Sequence, residues 1–434
     1  MERAIDKTLR EWASKAGRKP LALFGARQTG KTTSLLQLGE TQFSSVVHAD
    51  FIRQPSLRRA FEGSLEPTRI IRTLEAMLNV SITPGQALLI LDEIQECDEA
   101  ITSLKYFCTD MPHLHVATAG SLLGIHVARV GTSFPVGHVD MLTMHPMSFQ
   151  EFCIAQGKRM SLSLIEDCAR DLLPCPLHQE MIELYKTYLL VGGMPEAVRL
   201  HAEGASMQDV RIKQRDILTA YVADMTKYAS AVDSAKILAT WESVPQQLAK
   251  DGGSTKFVWR NIQSGARADR YKTALDWLVA SGLVSICTRA TDGESPLKSF
   301  EDRSSFKLYL ADTGLLSCAY DATASDLETS GNRTARFHGG LAENYVMQQL
   351  VSSSLTPYYW GVNSVNEVDF VTRLNCGIVP IEVKSGTNIK SKSLRKFMSE
   401  YACSKAIVLS ANDFSRSGIV ENIPLYAAHL IARL

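Results

Sequence analysis

The sequence lacks the features that mark several classes of protein. Its nine cysteines are scattered and form no C-x-x-C pair, so the pattern predicts buried reduced thiols rather than a zinc site or a redox couple. No apolar run approaches the roughly 18 residues that a membrane span needs, and the first residues lack the layout of a signal peptide. The formal net charge is zero, so a nucleic acid or an anionic membrane would have to be held by a local basic patch. We therefore expect a cytoplasmic protein without membrane association.

The chain is too long for one ordinary hydrophobic core. It has 434 residues, whereas single domains usually hold about 100 to 200. Its composition, 45% hydrophobic and 21% charged, is typical of a folded protein. Three or four domains are expected.

A glycine-rich turn joins the first predicted strand, Leu21 to Phe24, to a predicted helix, Thr32 to Leu38. The turn, Gly25 to Thr32, matches G-x-x-x-x-G-K-S/T at every fixed position. Glycines let backbone N–H groups wrap phosphates, Lys31 reaches the β and γ phosphates, and the Thr32 hydroxyl ligates Mg²⁺. The order strand, turn, helix is the context that a phosphate-binding P-loop requires. The sequence therefore predicts binding of a nucleoside triphosphate with Mg²⁺.

Two further predicted strands end in polar residues. Ala87 to Leu91 is an unbroken apolar run, typical of a central parallel strand, and it leads into Asp92 and Glu93. Asp92 is placed to hold the Mg²⁺ shell and Glu93 to orient or deprotonate the attacking water. The next strand, Leu114 to Ala119, leads to Ser121, so either Thr118 or Ser121 is a candidate sensor of the γ-phosphate, or a simple turn former. Strands that alternate with helices predict a doubly wound parallel α/β sheet.

The predicted secondary structure changes twice in the middle of the chain. From about Ser148 to Lys227 the pattern is helical, which suggests a helical lid. From about Ala235 to Ala311, two helices precede two strands, the order of a winged helix. Its recognition helix would begin near Arg267, Arg270 and Lys272, residues that would contact duplex DNA. The alternative is a winged helix that mediates contacts between domains.

A second acidic pattern lies near the C-terminus. Asp369, then Glu382 and Lys384 after a turn, form the D…E-x-K arrangement of metal-dependent nucleases. Strand periodicity puts Glu382 and Lys384 on one face, where two acids would bind Mg²⁺ that activates water. Two alternatives stay open: a noncatalytic DNA-binding fold, and a solvated edge strand with an exposed ion pair. A nearby basic cluster consists of Lys390, Lys392, Arg395 and Lys396.

Seven segments resemble one family, the bacterial and archaeal AAA+-superfamily ATPases that carry a C-terminal domain of unknown function. They are Gly25–Thr32 (GARQTGKT), Leu89–Gln95 (LILDEIQ), Ala119–Leu122 (AGSL), His145–Phe152 (HPMSFQEF), Val191–Glu196 (VGGMPE), Tyr309–Leu315 (YLADTGL) and Gly340–Val346 (GLAENYV). The resemblance implies an ATPase core followed by a winged helix and a region similar to PD-(D/E)XK nucleases. It also implies that Glu343 is a further acid of that nuclease-like site.

The sequence departs from this family after the sensor strand, where Gly137-His138 stands in place of the usual Gly-Arg. An arginine there would stabilise charge on the γ-phosphate. Arg129 is one substitute, and His138 would carry the charge only when protonated.

The predicted domains are residues 1–155 (P-loop ATPase core), 156–230 (helical lid), 231–311 (winged helix) and 312–434 (a small α/β PD-(D/E)XK nuclease-like domain). The predicted catalytic residues are Lys31, Asp92, Glu93, Glu343, Asp369, Glu382 and Lys384. The predicted nucleotide-binding residues are Gly25, Ala26, Arg27, Gln28, Thr29, Gly30, Lys31, Thr32, Thr33 and Ser121, and the predicted metal ligands are Thr32, Asp92, Asp369 and Glu382.

These residues predict Mg²⁺-dependent ATP binding and hydrolysis, coupled to DNA binding and to metal-dependent DNA cleavage by the C-terminal domain. One alternative is a nucleotide-gated switch that binds DNA or protein through a noncatalytic nuclease-like fold. Another is an ATPase that remodels proteins. Expected partners are ATP, ADP and DNA, and a homo-oligomer stays open.

Overall fold

The computed structural model describes residues 1–121, 123–128, 134–227, 231–249, 255–328, 335–362 and 366–433. The chain forms two compact units. The first comprises Met1–His145 and Ala280–Gly282, and the second comprises Pro146–Val279 and Leu283–Leu434. The bounds of the four predicted domains stay predictions.

A five-stranded sheet forms the centre of the first unit. Its strands are β1 (Leu21–Phe24), β2 (Ser45–Asp50), β3 (Ala87–Asp92), β4 (His115–Ala119) and β5 (Asp140–Thr143). They lie in the order β2-β3-β4-β1-β5, and every pairing is parallel. The predicted parallel α/β sheet is confirmed.

Helices cover both faces of this sheet. They are α1 (Ile5–Ser14), α2 (Lys31–Gln42), α3 (Pro67–Leu78), α4 (Asp98–Asp110) and α5 (Leu123–Ala128). Side chains of β3 alternate between two cores: Leu89 and Leu91 pack with residues of α3 and α4, whereas Leu88 and Ile90 pack with residues of α1 and α2. Each such buried side chain contributes roughly 1.5–3 kcal/mol. Burial on both faces explains why the β3 sequence is apolar without interruption.

The second unit begins with a helical segment, as predicted. Its helices are α6 (Phe149–Ala155), α7 (Arg159–Asp171), α8 (His178–Val191), α9 (Pro195–Ala202) and α10 (Met207–Lys227). Ser148 and Glu151 form a capping box that starts α6. Gly192, whose φ of 74° favours glycine, follows the last residue of α8, and Pro195 is the first residue of α9. None of the described helices is long and apolar enough to cross a membrane.

The rest of the second unit surrounds a mixed eight-stranded sheet with the order β12-β13-β11-β10-β9-β8-β6-β7. The helices are α11 (Ala231–Leu248), α12 (Ala268–Ala280, which ends in the first unit), α13 (Thr313–Ala319), α14 (Ala324–Glu328), α15 (Ala335–Ser352) and α16 (Lys392–Glu400). The strands are β6 (Val284–Ala290), β7 (Glu301–Leu310), β8 (Tyr358–Gly361), β9 (Glu367–Leu374), β10 (Gly377–Val383), β11 (Ala406–Ser410), β12 (Ser415–Ser417) and β13 (Val420–Pro424). Short 3-10 helices span Pro55–Phe61, Ile94–Glu96, Trp259–Asn261, Leu297–Phe300 and Leu425–Arg433.

Strands β6 and β7, predicted as part of a winged helix, belong to the same sheet as the strands of the predicted nuclease-like region. They pair with each other antiparallel, and β6 pairs with β8 in parallel. Both fold names stay predictions.

The nine cysteines are free, as predicted, but they are not all buried. Cys376 is exposed because it lies in the turn between β9 and β10.

Candidate functional site

The carboxyl ends of three parallel strands bring the predicted nucleotide-binding residues to one edge of the first sheet. In the register of the sheet, Asp92 pairs with Asp50 and Ala119, and Leu23 also pairs with Ala119. The glycine-rich turn follows β1 directly, and α2 begins at Lys31. An edge of this kind is where open parallel sheets bind their ligands.

Glycine is required at both ends of the turn. Gly25 has a φ of 139° and Gly30 a φ of 98°, both outside the range that other residues favour. A Cβ on Gly25 would lie 2.2 Å from the Met144 carbonyl oxygen. Within the turn, the buried Thr29 donates a hydrogen bond from Oγ1 to the Ala26 carbonyl at 2.9 Å.

Lys31 is buried inside the turn that it is predicted to serve. Its Nζ donates to the carbonyl oxygens of Gly25 and Ala26, both at 2.8 Å. Burial lowers the pKa of Lys31 to about 8, although the negative charges of Glu93 and Asp92 act in the opposite direction. The turn thus places the Lys31 ammonium group next to the position where phosphate oxygens are expected to bind.

Asp92 and Thr32 are in direct contact. Thr32 Oγ1 donates to Asp92 Oδ2 at 2.9 Å, and the Glu93 backbone N–H donates to Asp92 Oδ1 at 3.0 Å. His48, to which the sequence assigned no role, places Nε2 3.0 Å from the same Asp92 Oδ2. This hydrogen bond raises the pKa of His48. A hydroxyl beside a carboxylate is a donor set that suits Mg²⁺.

One group of potential metal ligands stands out among the described residues. The ligand atoms of His48, Asp50 and Asp92 lie within 4.8 Å of one another, and no other set of three or more histidine, cysteine or acidic side chains in the described ranges does so.

Glu93 has an unusual backbone conformation. Its φ is 50° and its ψ is 44°, left-handed values that cost a non-glycine residue roughly 1 kcal/mol or more. Gln95 Nε2 donates to Glu93 Oε2 at 2.6 Å, so the carboxylate is oriented by a residue two positions further along the chain. Glu93 is half-buried, which leaves it open to water.

The predicted phosphate sensors lie at the end of β4. Thr118 and Ser121 are both buried, and Thr118 Oγ1 has no hydrogen-bond partner within the described part of the chain. Of the predicted substitutes for the missing arginine, His138 is half-buried, and Arg129 lies outside the described residues.

The structure also gathers the predicted C-terminal residues. Asp369 lies on β9, Glu382 on β10, Lys384 just after β10, and Glu343 on α15. The Val383 N–H donates to Asp369 Oδ2 at 2.8 Å, and Lys384 Nζ donates to Glu382 Oε1 at 2.6 Å. Glu382 Oε2 is buried and has no partner in the described structure.

The sequence analysis missed a lysine at the centre of these acids. Lys307 on β7 is 0% exposed, and its Nζ lies 2.8 Å from Glu367 Oε1, 3.3 Å from Glu343 Oε2 and 3.6 Å from Asp369 Oδ1. Burial alone would lower the pKa of Lys307, but the negative charges, Glu343 above all, raise it well above the ordinary value. Lys307 therefore stays cationic. A signal was present, because Lys307 interrupts the otherwise apolar run Phe306 to Leu310.

Glu343 is fixed by two further donors. Tyr309 Oη and Thr255 Oγ1 both donate to Glu343 Oε2, at 2.9 and 2.7 Å. Burial, then the neighbouring Glu382 and Glu343, raise the pKa of Asp369 well above the ordinary value of a carboxyl.

The predicted DNA-contacting residues are exposed at the start of α12. Arg267, Arg270 and Lys272 all reach solvent there, and Lys272 pairs with Asp276 at 3.0 Å.

Three family models match the chain. The AAA domain matches residues 17–153, and two domains of unknown function, DUF8612 and DUF4143, match residues 182–326 and 338–427. No curated protein gives a significant match.

Several solved structures are similar, all at low TM-scores. The Walker-type ATPase PABY2304 of Pyrococcus abyssi is 13% identical with a TM-score of 0.45, over 74% of this chain and 95% of that one. AMPPCP-bound DnaA from Aquifex aeolicus is 14% identical with a TM-score of 0.27, over 62% of this chain and 85% of that one. Cdc6p from Pyrobaculum aerophilum is 12% identical with a TM-score of 0.25, over 73% of this chain and 93% of that one.

The AAA domain and the complete glycine-rich turn at the edge of a parallel sheet define a P-loop nucleotide-binding protein. The protein is an ATPase.

Proposed function

We propose that this ATPase works with Mg²⁺, which Thr32 and Asp92 hold. Lys31 and the backbone amides of the turn bind the phosphates, and Glu93 orients and deprotonates the attacking water. Bound Mg²⁺ would neutralise charge that develops on the phosphates.

The observation that carries this proposal is the 2.9 Å hydrogen bond between Thr32 and Asp92. The two residues are 60 positions apart, yet the fold puts a hydroxyl and a carboxylate side by side next to Lys31. Glu93, the next residue, is half-buried and held by Gln95.

ATP turnover as a function of Mg²⁺ concentration tests the metal assignment. We expect Thr32→Ala to need much more Mg²⁺ for half-maximal turnover, since one ligand is lost. Thr41→Ala, at an exposed position of the same helix, is the matched control and should behave as the wild type. A wild-type Mg²⁺ dependence in Thr32→Ala would refute the assignment.

We further propose that nucleotide state controls DNA binding. Three exposed cationic residues lie just before helix α12 and in its first turns, Arg267, Arg270 and Lys272. The last residue of the helix, Ala280, belongs to the first unit, which contains the phosphate-binding turn. In that unit, a Cβ on Gly282 would lie 3.1 Å from the Ala26 backbone nitrogen. Ala26 is part of the phosphate-binding turn, so the residues that directly follow α12 lie against this turn.

Duplex DNA binding with ATP, with ADP and without nucleotide tests this coupling. Arg270→Glu with Lys272→Glu should weaken DNA binding, whereas Lys7→Glu with Arg10→Glu, an equal charge change on exposed positions of α1, should not. Equal DNA affinity in all three nucleotide states would refute the coupling. ATP turnover that is indifferent to DNA, with ring formation on ATP, would favour the alternative of an ATPase that remodels proteins.

For the C-terminal acids, the geometry favours the noncatalytic alternative over DNA cleavage. The Lys307 ammonium group lies among Glu343, Glu367 and Asp369 and supplies positive charge that a metal ion would otherwise bring. In addition, the described acids of this cluster do not bring three ligand atoms within 4.8 Å of one another.

A cleavage assay on linear duplex and single-stranded DNA, with Mg²⁺ or Mn²⁺ and with or without ATP, separates the two alternatives. We expect no cleavage by the wild type. Cleavage that disappears in Asp369→Asn would establish a nuclease and overturn this part of the proposal.

A further inference from the structure

A buried arginine near the start of the chain touches the phosphate-binding turn. Arg3 is 8% exposed, and its Nη1 donates to the Thr29 carbonyl oxygen at 2.7 Å. Its Nη2 donates to the His145 carbonyl oxygen, also at 2.7 Å. The backbone N–H of Arg3 donates to Asp6 Oδ2 at 2.9 Å, which ties the residue to the first turn of α1.

The contact with Thr29 has a direct consequence for the next amide. The Thr29 carbonyl and the Gly30 N–H belong to one planar trans peptide group, so they point in opposite directions. A guanidinium group that holds the carbonyl oxygen on one side therefore directs the Gly30 N–H to the other side. Backbone N–H groups at this position of a P-loop are the ones that bind phosphate.

Gly30 makes such a constraint necessary. Its φ of 98° is readily reached by glycine, and glycine also adopts many other conformations. Without a donor on the Thr29 carbonyl, the peptide group has more freedom to rotate, and rotation would turn an oxygen atom towards the phosphates. Two other carbonyls in the turn, those of Gly25 and Ala26, accept hydrogen bonds from Lys31 Nζ.

We propose that Arg3 is a positioning residue of the ATPase site, which fixes the Thr29–Gly30 peptide so that the Gly30 N–H faces the bound phosphates. The Arg3 side chain acts through the backbone and does not touch the nucleotide. Its second hydrogen bond, to the His145 carbonyl oxygen, anchors the guanidinium to the last residue before the chain leaves the first unit. Arg3 lies outside residues 17–153, which the AAA model matches. The inference rests on the proposed role of the turn in phosphate binding.

The test measures nucleotide affinity in the full-length chain. Arg3→Met removes the guanidinium group, and Arg3→Lys keeps the positive charge but not the two parallel N–H donors of the guanidinium. Arg10→Met, at an exposed position on α1, is the control. Lys31→Ala serves as the reference for the turn itself. The readouts are Kd for a fluorescent ADP analogue with Mg²⁺, KM and kcat for ATP, and the thermal unfolding midpoint without nucleotide.

We expect Arg3→Met to raise Kd and KM about 10- to 100-fold, the range for losing a hydrogen bond to a charged group, with a smaller change in kcat. The Kd and KM of Arg3→Lys should lie between those of Arg3→Met and the wild type, because an ammonium group can donate to one of the two carbonyl oxygens. Arg10→Met should match the wild type.

Two results would overturn the inference. One is a folded Arg3→Met or Arg3→Lys protein that binds the ADP analogue as the wild type does. The other is a lowered unfolding midpoint with unchanged KM, which would make Arg3 a purely structural residue. If Arg3→Met does not fold, Arg3→Lys decides alone. Wild-type affinity in Lys31→Ala would instead refute the phosphate-binding role of the turn, a failure distinct from that of Arg3.

Discussion

Replacing Lys307 with methionine removes a buried charge and keeps most of the side-chain volume. Three carboxylates, Glu367, Glu343 and Asp369, then lose the ammonium group that lies 2.8 to 3.6 Å from them. Removing one partner of a buried ion pair typically costs about 3–5 kcal/mol, because the remaining charge is left uncompensated. We therefore expect the free energy of unfolding to fall by about that amount.

Urea unfolding followed by tryptophan fluorescence suits this prediction, because four of the five tryptophans lie in the second unit with Lys307. Lys298→Met, at an exposed position, is the control and should stay within roughly 0.5 kcal/mol of the wild type. In a double-mutant cycle with Glu367→Gln, the acid nearest to Lys307, we expect an interaction free energy of about 1–2 kcal/mol between the two residues. This value is within the range for residues in contact. A loss below about 1 kcal/mol in Lys307→Met would refute the idea that this ammonium group neutralises the acids.

Two other predictions concern a metal ligand and a buried carboxyl. Without Mg²⁺, Thr32→Val should bind nucleotide about as tightly as the wild type does. Because it lacks the hydroxyl, it should lose most of the gain in nucleotide affinity that Mg²⁺ provides. Equal gains in calorimetric titrations of both proteins would contradict this prediction. Burial raises the pKa of Asp312 to about 6, above its unfolded value, so its contribution to stability is present at low pH and is lost as pH rises from about 4 to 6. The stability that Asp312→Asn loses relative to the wild type should therefore be roughly 2 kcal/mol larger at pH 4 than at pH 7. A pH-independent difference in urea unfolding would contradict this prediction.

The first sheet and its glycine-rich turn were predictable because their signals are local. The apolar run that became β3 and the turn from Gly25 to Thr32 each lie within a few neighbouring residues. Strand β12, Ser415–Ser417, was not predicted, because three exposed polar residues carry no hydrophobic pattern. Strand β7 starts at Glu301, well before its apolar run begins at Phe306, since the polar, half-buried Glu301 and Asp302 pair with β6 beyond an irregularity at Thr288 and Arg289.

The missed functional residues share a different cause. Arg3 meets acceptors 26 and 142 positions away, His48 meets Asp92 44 positions away, and Lys307 meets Glu343 36 positions away. Such contacts depend on how strands and helices are assembled, which no local pattern encodes. A lone charge in an apolar strand, as at Lys307, is the one signal that sequence reasoning can use in advance.

We propose that ATP is hydrolysed at the edge of the first sheet with Glu93 as the base. The most direct test compares ATP turnover and ATP binding in the wild type, Lys31→Ala and Glu93→Gln. We predict Mg²⁺-dependent turnover by the wild type, loss of nucleotide binding in Lys31→Ala, and retained binding with turnover reduced by roughly 10²- to 10⁴-fold in Glu93→Gln. Turnover at the wild-type rate in both variants would refute the roles of Lys31 and Glu93 in ATP hydrolysis.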